Sequence, residues 1–348
     1  MDQDKLNEFL GRVITDFSAV GAAGLTVVGH RLGLYRALAQ GPATPEQLAE
    51  RTGCNWRYLT EWLRGQAAGG YVNYDPATGE FSMTEEQVFC LADPNGPNLP
   101  AAFLVGLGYL RAEPRITEAF RTGEGIGWHE HHEDVHVGVD AFFRPGYEAA
   151  LVPEWIPALD GVEAKLAAGG RVADIGCGLG SSSVLIAQAY PTTTIVGSDY
   201  HAESIELARK KVAEAGVSDR VGFEVATAQT FTGSNYDLVT MFDALHDMGD
   251  PLGAAKRIRE ALAPDGTWLL VEPYASDKIE ENFNPVGRLY YNASVFLCTP
   301  NALSQSGGYA LGTQAGETAI RQVITDAGFT RFRRVLQTPF NLVYEARP

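Results

Sequence analysis

The sequence predicts an α/β fold: a doubly wound parallel sheet closed by an antiparallel strand pair, behind a mostly helical winged-helix domain. Three observations carry this. From Gly170 onward, short apolar runs alternate with amphipathic helical stretches, as in a sheet buried on both faces. The last two runs are joined too closely for a crossover, so they pair antiparallel. Ahead of the sheet, helical stretches lead into a hairpin in winged-helix order.

The elements follow in chain order. Leu6, Phe9, Leu10, Val13, Ile14, Phe17 and Val20 recur at helical spacing and predict a helix over 4–21. A second helix, 29–38, ends at the breaker Gly41-Pro42. Thr44 reads as an N-cap, with Pro45 at the first helical position and acids in the first turn. A helix over 55–68 stops at Gly69-Gly70, and residues 71–84 alternate around Asp75-Pro76-Ala77-Thr78-Gly79 as a β-hairpin. Residues 90–160, interrupted by Pro and Gly, read as helical connecting structure. RVADIG, TTIVGSD, VGFEVA, YDLVTMF and TWLLVEP are then five buried strands, with helices over 181–189, 203–213 and 251–263, and RFRRVLQ and NLVYEAR are the closing pair. At 348 residues the chain exceeds one small core, and the expected division is 1–90, 91–160 and 161–348.

Composition narrows the function classes. Acidic residues outnumber basic ones by 43 to 27, giving a formal net charge of −16. That balance counts against unaided binding to nucleic acid or an anionic membrane, which both require a basic surface. Cys54, Cys90, Cys177 and Cys298 form no CxxC pair and no zinc or disulfide spacing, as suits a reducing compartment. The N-terminus is acidic where a secretory or transit peptide is basic. The longest uncharged stretch nearby, 17–29, is shorter than the roughly 20 residues of a membrane span. A cytoplasmic protein with no membrane or nucleic-acid partner is expected.

Chemistry concentrates in the sheet. VADIGCGLG, residues 172–180, ends its first strand and enters the helix over 181–189. Glycines there let the backbone turn sharply and approach a ligand closely. The next strand ends at Asp199, where an acid can accept both hydroxyls of a ribose. Strand, alternate glycines, helix and acid together are far more specific than a lone GxG. A dinucleotide site wants a sixth-position glycine, where this chain has Ser181, and Asp174 ahead of the loop would repel phosphate. An acid at that place suits a ligand with a cationic amine.

VADIGCGLG, SDY and the terminal strand pair resemble a class I S-adenosylmethionine-dependent methyltransferase, with its Rossmann-like sheet. With the winged helix in front, roughly residues 5–348 resemble bacterial and plant small-molecule O-methyltransferases, whose N-terminal domain dimerises. The segments WHEHH, LHDMGDP and LCTPN are similar to those of a bacterial subgroup. The resemblance implies S-adenosylmethionine as cofactor and a homodimer acting on a small molecule. It also implies that Asp174 holds the methionine amine, directly or through water, and that Gly176 and Gly178 give the cofactor room. Asp199 would take the ribose, with Tyr200 beside the adenine. The acid usual after the third strand is replaced by Ala226-Thr227-Ala228, so the adenine contact passes to Thr227 and Ala228. Phe242 and Asp243 would close the methionine side.

The segment 245–251, LHDMGDP, follows the fourth strand at its carboxyl end, where ligands and catalytic groups collect. An imidazole with a pKa of about 6.5 can take the proton of a hydroxyl as a methyl group arrives. The resemblance makes His246 the general base, flanked by Glu272 at the end of the fifth strand and Glu317 in AGET. A second reading leaves His246 lining the cofactor pocket, with Asp250 as an N-cap. With a carbon or nitrogen acceptor, positioning and a weak base suffice.

Four of the seven histidines fall within 128–136, whose HEDVH satisfies the zinc-protease pattern HExxH. A stretch this rich in His and acids matches cheaply, and no catalytic metal is expected. The segment reads as a solvated acidic helix end or as a wall of the substrate site, with Trp128, His129, His131, Phe143 and Tyr147 as lining candidates. Tyr291, in the insertion after the fifth strand, is another. The winged helix raises a different class, a DNA-binding regulator with the adenosyl ligand as effector. Its recognition helix would carry only Arg57 and Arg64 against Glu61, so the apolar stripe Leu6–Val20 is read instead as a dimerisation surface.

Overall fold

The computed structural model describes all 348 residues, in two compact units: 1–108 with 133–145, and 109–132 with 146–348. In the first unit, the helix expected over 4–21 runs on unbroken as Gln3–Arg31, and the one expected over 29–38 is shortened to Leu34–Leu38. The Gly21–Gly24 stretch lowers helix propensity but contains no proline, so the hydrogen-bond ladder runs through it. Asp2 caps its start through the amides of Asp4 and Lys5. Near its other end, Gly29 lies so close to Trp62 and Tyr35 that a Cβ would come within 2.6 and 2.8 Å of their rings. The first twenty residues find no such packing: Phe9, Ile14, Phe17 and Val20 are 59–79% exposed.

Leu34–Leu38, Pro45–Thr52 and Trp56–Ala68 follow, and β1 (Asn73–Asp75) pairs antiparallel with β2 (Glu80–Ser82) around the expected turn. Thr44 does cap its helix, in a capping box with Gln47. Leu34, Tyr35, Leu48, Leu59, Trp62, Leu63 and Phe81 form this unit's core, each worth roughly 1.5–3 kcal/mol of burial. Gln3–Arg31 is also long and apolar enough, by length and composition, to cross a membrane. The uncharged stretch 17–29 understates it, because the apolar run extends back to Val13 with Asp16 as its one charged interruption.

The connecting region is helical, as expected, with helices Pro100–Leu110, Glu113–Thr122 and Glu133–Ala150. The last begins at Glu133, which leaves His132 outside the helix that an HExxH site requires.

The second unit contains the sheet. Its strands are β3 (Arg171–Ile175), β4 (Thr194–Asp199), β5 (Val221–Val225), β6 (Tyr236–Phe242), β7 (Leu262–Pro273), β8 (Arg331–Gln337) and β9 (Asn341–Arg347). They lie in the order β5-β4-β3-β6-β7-β9-β8. Strands β3 to β7 are parallel, and β9 runs antiparallel to both β7 and β8. Alternation assigns the two faces. Ala173, Ile175, Val239, Met241, Trp268 and Leu270 pack on one side, while Val172, Leu238, Phe242, Leu269 and Val271 pack on the other. The chain order reverses between β3 and β6, so the crevice beyond their carboxyl ends is the place for a ligand.

Candidate functional site

The turn after β3 is built for close approach. Gly176 and Gly178 have φ of +70° and +51°, values that side chains with a Cβ rarely adopt. The Gly178 amide donates to Asp199 Oδ2 at 3.0 Å, and the His201 amide donates to Asp199 Oδ1 at 2.8 Å. The end of β4 is thereby tied to the glycine loop. Asp174 faces inward: Ser182 and Ser183 hydroxyls each donate to its Oδ2 at 2.6 Å, and Thr240 donates to Oδ1 at 2.9 Å. At 1% exposure its carboxylate is a brace for the loop and the following helix, and burial pushes its pKa up. Ser182, Ser183 and Thr240 gave no sequence signal, because hydroxyl residues at strand and helix ends are common.

The expected adenine-side residues gather at the ends of β4 and β5. Tyr200 accepts the Trp128 amide at 3.1 Å and donates to Asn301 Oδ1 at 3.1 Å. His129 presents its ring edge-on to Tyr200 at 6.3 Å. Thr227 is exposed, its hydroxyl 2.9 Å from that of Thr230, and Ala228 is buried beside it. Asn301 was missed by sequence reasoning. It accepts the Trp128 amide at 3.0 Å and donates to the Asp247 carbonyl at 3.2 Å, joining three segments distant in sequence.

Beyond β6 lies His246, the residue expected to serve as base. His246 is 3% exposed, with Nδ1 2.8 Å from Glu272 Oε2 and Nε2 3.3 Å from Cys298 Sγ. The Leu245 amide donates to Glu272 Oε1 at 2.9 Å, which fixes the carboxylate. Burial alone would push the imidazole down; Glu272 and the sulfur together hold it well above 6.5. Asp243, with φ of +50°, is held by Tyr147 at 3.3 Å and Asn341 at 2.9 Å. Burial pushes Asp243 and Asp247 up to about 7. Phe242 packs against Tyr147 and Trp155. Asp250 caps the following helix through the Gly253 amide, as expected.

Glu317 does not share this cluster. It pairs with Arg321 and Arg334 in the first turn of helix Gly316–Asp326, and the acids around His246 are the buried Glu272 and the half-buried Asp243 and Asp247. The loop before Gly316 has no periodicity to fix its register, which is why the sequence misplaces this carboxylate. The remaining substrate candidates disperse. His131 is buried with its ring 6.5 Å from Trp128, Tyr291 is half-buried on helix Pro285–Ala293, and Phe143 belongs to the first unit, packed on Phe142.

Comparison with known proteins bears on this arrangement. A family model described as "Methyltransferase domain" matches 166–316, which spans the glycine loop, Asp199, His246, Glu272 and Cys298. Residues 166–316 are a methyltransferase domain. A second model, for a Rv2258c-like winged HTH domain, matches 21–93, in front of the methyltransferase domain. The chain is 28% identical over 111 residues to a ubiquinone/menaquinone biosynthesis C-methyltransferase of Geotalea daltonii, 31% of this chain and 47% of that one. It thus spans about half the length of that relative. Solved structures share the fold over nearly the whole chain. Human N-acetylserotonin methyltransferase in complex with SAM aligns with a TM-score of 0.72 at 17% identity, over 97% of each chain. The mitomycin 7-O-methyltransferase MmcR aligns at 0.70 and 19%, over 100% of each.

Proposed function

We propose that the protein transfers the methyl group of S-adenosylmethionine to a hydroxyl oxygen of a small aromatic or hydroxylated metabolite, with His246 as general base. The observation that carries this is the buried Glu272–His246 pair, 2.8 Å apart, at the carboxyl ends of neighbouring strands of a methyltransferase domain.

The loop residues fit that cofactor. A Cβ at Gly178 would meet nothing within 4 Å, so open space borders the backbone there. Asp199 and Tyr200 stand at the end of β4, suited to the ribose and adenine, with Thr227 and Ala228 at the end of β5. Asp243 and Phe242 end β6 on the methionine side. Asp174 fits a bracing part better than direct contact with the amine, since its oxygens already accept three hydroxyls.

The bound cofactor supplies an electrophilic methyl on a sulfonium centre, which leaves as a neutral thioether. His246 Nε2 takes the acceptor's proton as its oxygen attacks, and Glu272 at Nδ1 fixes the tautomer and stabilises the imidazolium. Trp128, His129 and Tyr147 are the proposed acceptor-side contacts. The exposed face of Gln3–Arg31 fits a second copy of the chain, giving a homodimer. Four free thiols and the acidic surface accord with the cytoplasm.

Incubation with methyl-labelled S-adenosylmethionine and a panel of phenols and hydroxylated acids tests the reaction. Label in an ether methyl, lost by a factor of at least about 100 in His246→Ala, is expected. Transfer that His246→Ala leaves intact would overturn the base. The C-methyltransferase relative makes carbon the second acceptor reading, and the chemical shift of the transferred methyl separates the two.

A further inference from the structure

His246 is closed at both nitrogens. Glu272 occupies Nδ1, and the side an acceptor hydroxyl must reach, Nε2, faces the Cys298 thiol at 3.3 Å. Both side chains are buried. Cys298 also stands at a special place in the backbone. After β7 the chain forms helix Pro285–Ala293, then one π turn, Ser294–Cys298, then helix Thr299–Ser304. An inserted π turn widens a helix locally and occurs preferentially at functional sites. Here it ends on the residue that meets the imidazole. The turn is anchored both within its own length and in the helix that follows. Phe296 stacks on Tyr109 at 5.2 Å, the Ser294 hydroxyl accepts the Thr313 amide at 3.3 Å, and Asn301 ties the next helix to the Asp247 carbonyl.

We propose that Cys298 is a positioning residue for the base, a displaceable cap that holds His246 Nε2 until an acceptor hydroxyl takes its place. This rests on the reading of His246 as the base. The sulfur accepts from Nε2–H of the imidazolium, holding the ring in the plane set by Glu272. An arriving hydroxyl replaces the sulfur at the same nitrogen once the ring has lost that proton. The ionisable groups around the ring are Glu272 from β7, Asp243 and Asp247 from the segment after β6, and Cys298 from the π turn. The three carboxyl groups remain in place when Cys298 is changed, so a change in the ring's titration reports the thiol.

The test follows the ring itself in protein carrying 13C-labelled histidine, with the His246 signal assigned by its absence from His246→Gln. Cys298→Ala should lower the His246 titration midpoint by half a unit or more and raise the rate of His246 modification by diethyl pyrocarbonate at least threefold. Cys298→Ser, which keeps an acceptor at Nε2, should stay close to the wild type in both. Equal midpoints and equal modification rates in all three proteins would overturn the cap; Cys298→Val, which fills the space without an acceptor and should shift both readouts as the alanine variant does, keeps the test decisive if the alanine variant fails to fold. S-adenosylhomocysteine affinity, measured on the same proteins, separates the two claims. Its absence counts against the methyltransferase reading, whereas an unmoved titration counts against the cap.

Discussion

At His246, burial and charge pull in opposite directions, and the outcome sets how the site responds to pH. Glu272 at 2.8 Å outweighs desolvation and holds the imidazole above 6.5. A base held protonated near neutrality takes up no proton, so transfer should accelerate as pH rises above 7. Glu272→Gln removes the charge that holds the proton, so its pH–rate profile should rise at lower pH, with a plateau at least tenfold below the wild type. A profile unmoved by that change would contradict the pairing. Asp247 gives a second residue-level prediction. Its pKa is about 7 in the fold against 3.8 ordinarily, chiefly through burial. It therefore takes up a proton on folding between those values, and its contribution to stability falls as pH rises from about 4 to 7. Asp247→Asn lacks this titration. In urea unfolding, the stability of the variant relative to the wild type should improve between pH 5 and pH 7, by on the order of 1–2 kcal/mol at about 1.4 kcal/mol per unit. A difference constant with pH would count against an Asp247 that titrates in this range.

Among the elements, the insertion after β7 does more than cover the sheet. Asn301 connects it to Trp128, Tyr200 and the Asp247 carbonyl. Asn301→Ala should weaken S-adenosylhomocysteine binding three- to tenfold in calorimetry, through the loss of Tyr200's partner. Unchanged affinity would mean that Tyr200 does not serve the cofactor. The sequence discloses some of these elements and conceals others for physical reasons. The strands are legible because two buried faces leave continuous apolar runs such as LLV, and the glycine loop and His246–Glu272 are legible because they sit at strand ends those runs locate. The continuity of Gln3–Arg31 is hidden because its glycines weaken a helix without ending one. Glu317, Asn301 and the π turn at Cys298 depend on tertiary contacts, on which periodicity is silent.

For the whole molecule, the apolar stripe on Gln3–Arg31 sets surface against solvent. Phe17 is 79% and Ile14 66% exposed in the single chain. A second copy covering this stripe would resolve it. Sedimentation should find a dimer in the wild type and a monomer in Phe17→Asp, with the methyltransferase domain still folded. A wild-type monomer at micromolar concentration would contradict the assembly. The crevice at the end of β3 and β4 is the proposed site of an adenosyl cofactor. This is tested most directly by calorimetric titration of S-adenosylhomocysteine into the intact protein and into Asp199→Ala. Micromolar binding that the variant weakens at least tenfold, about 1.4 kcal/mol, is expected. No binding to the folded wild-type protein, or equal binding to both, would contradict it.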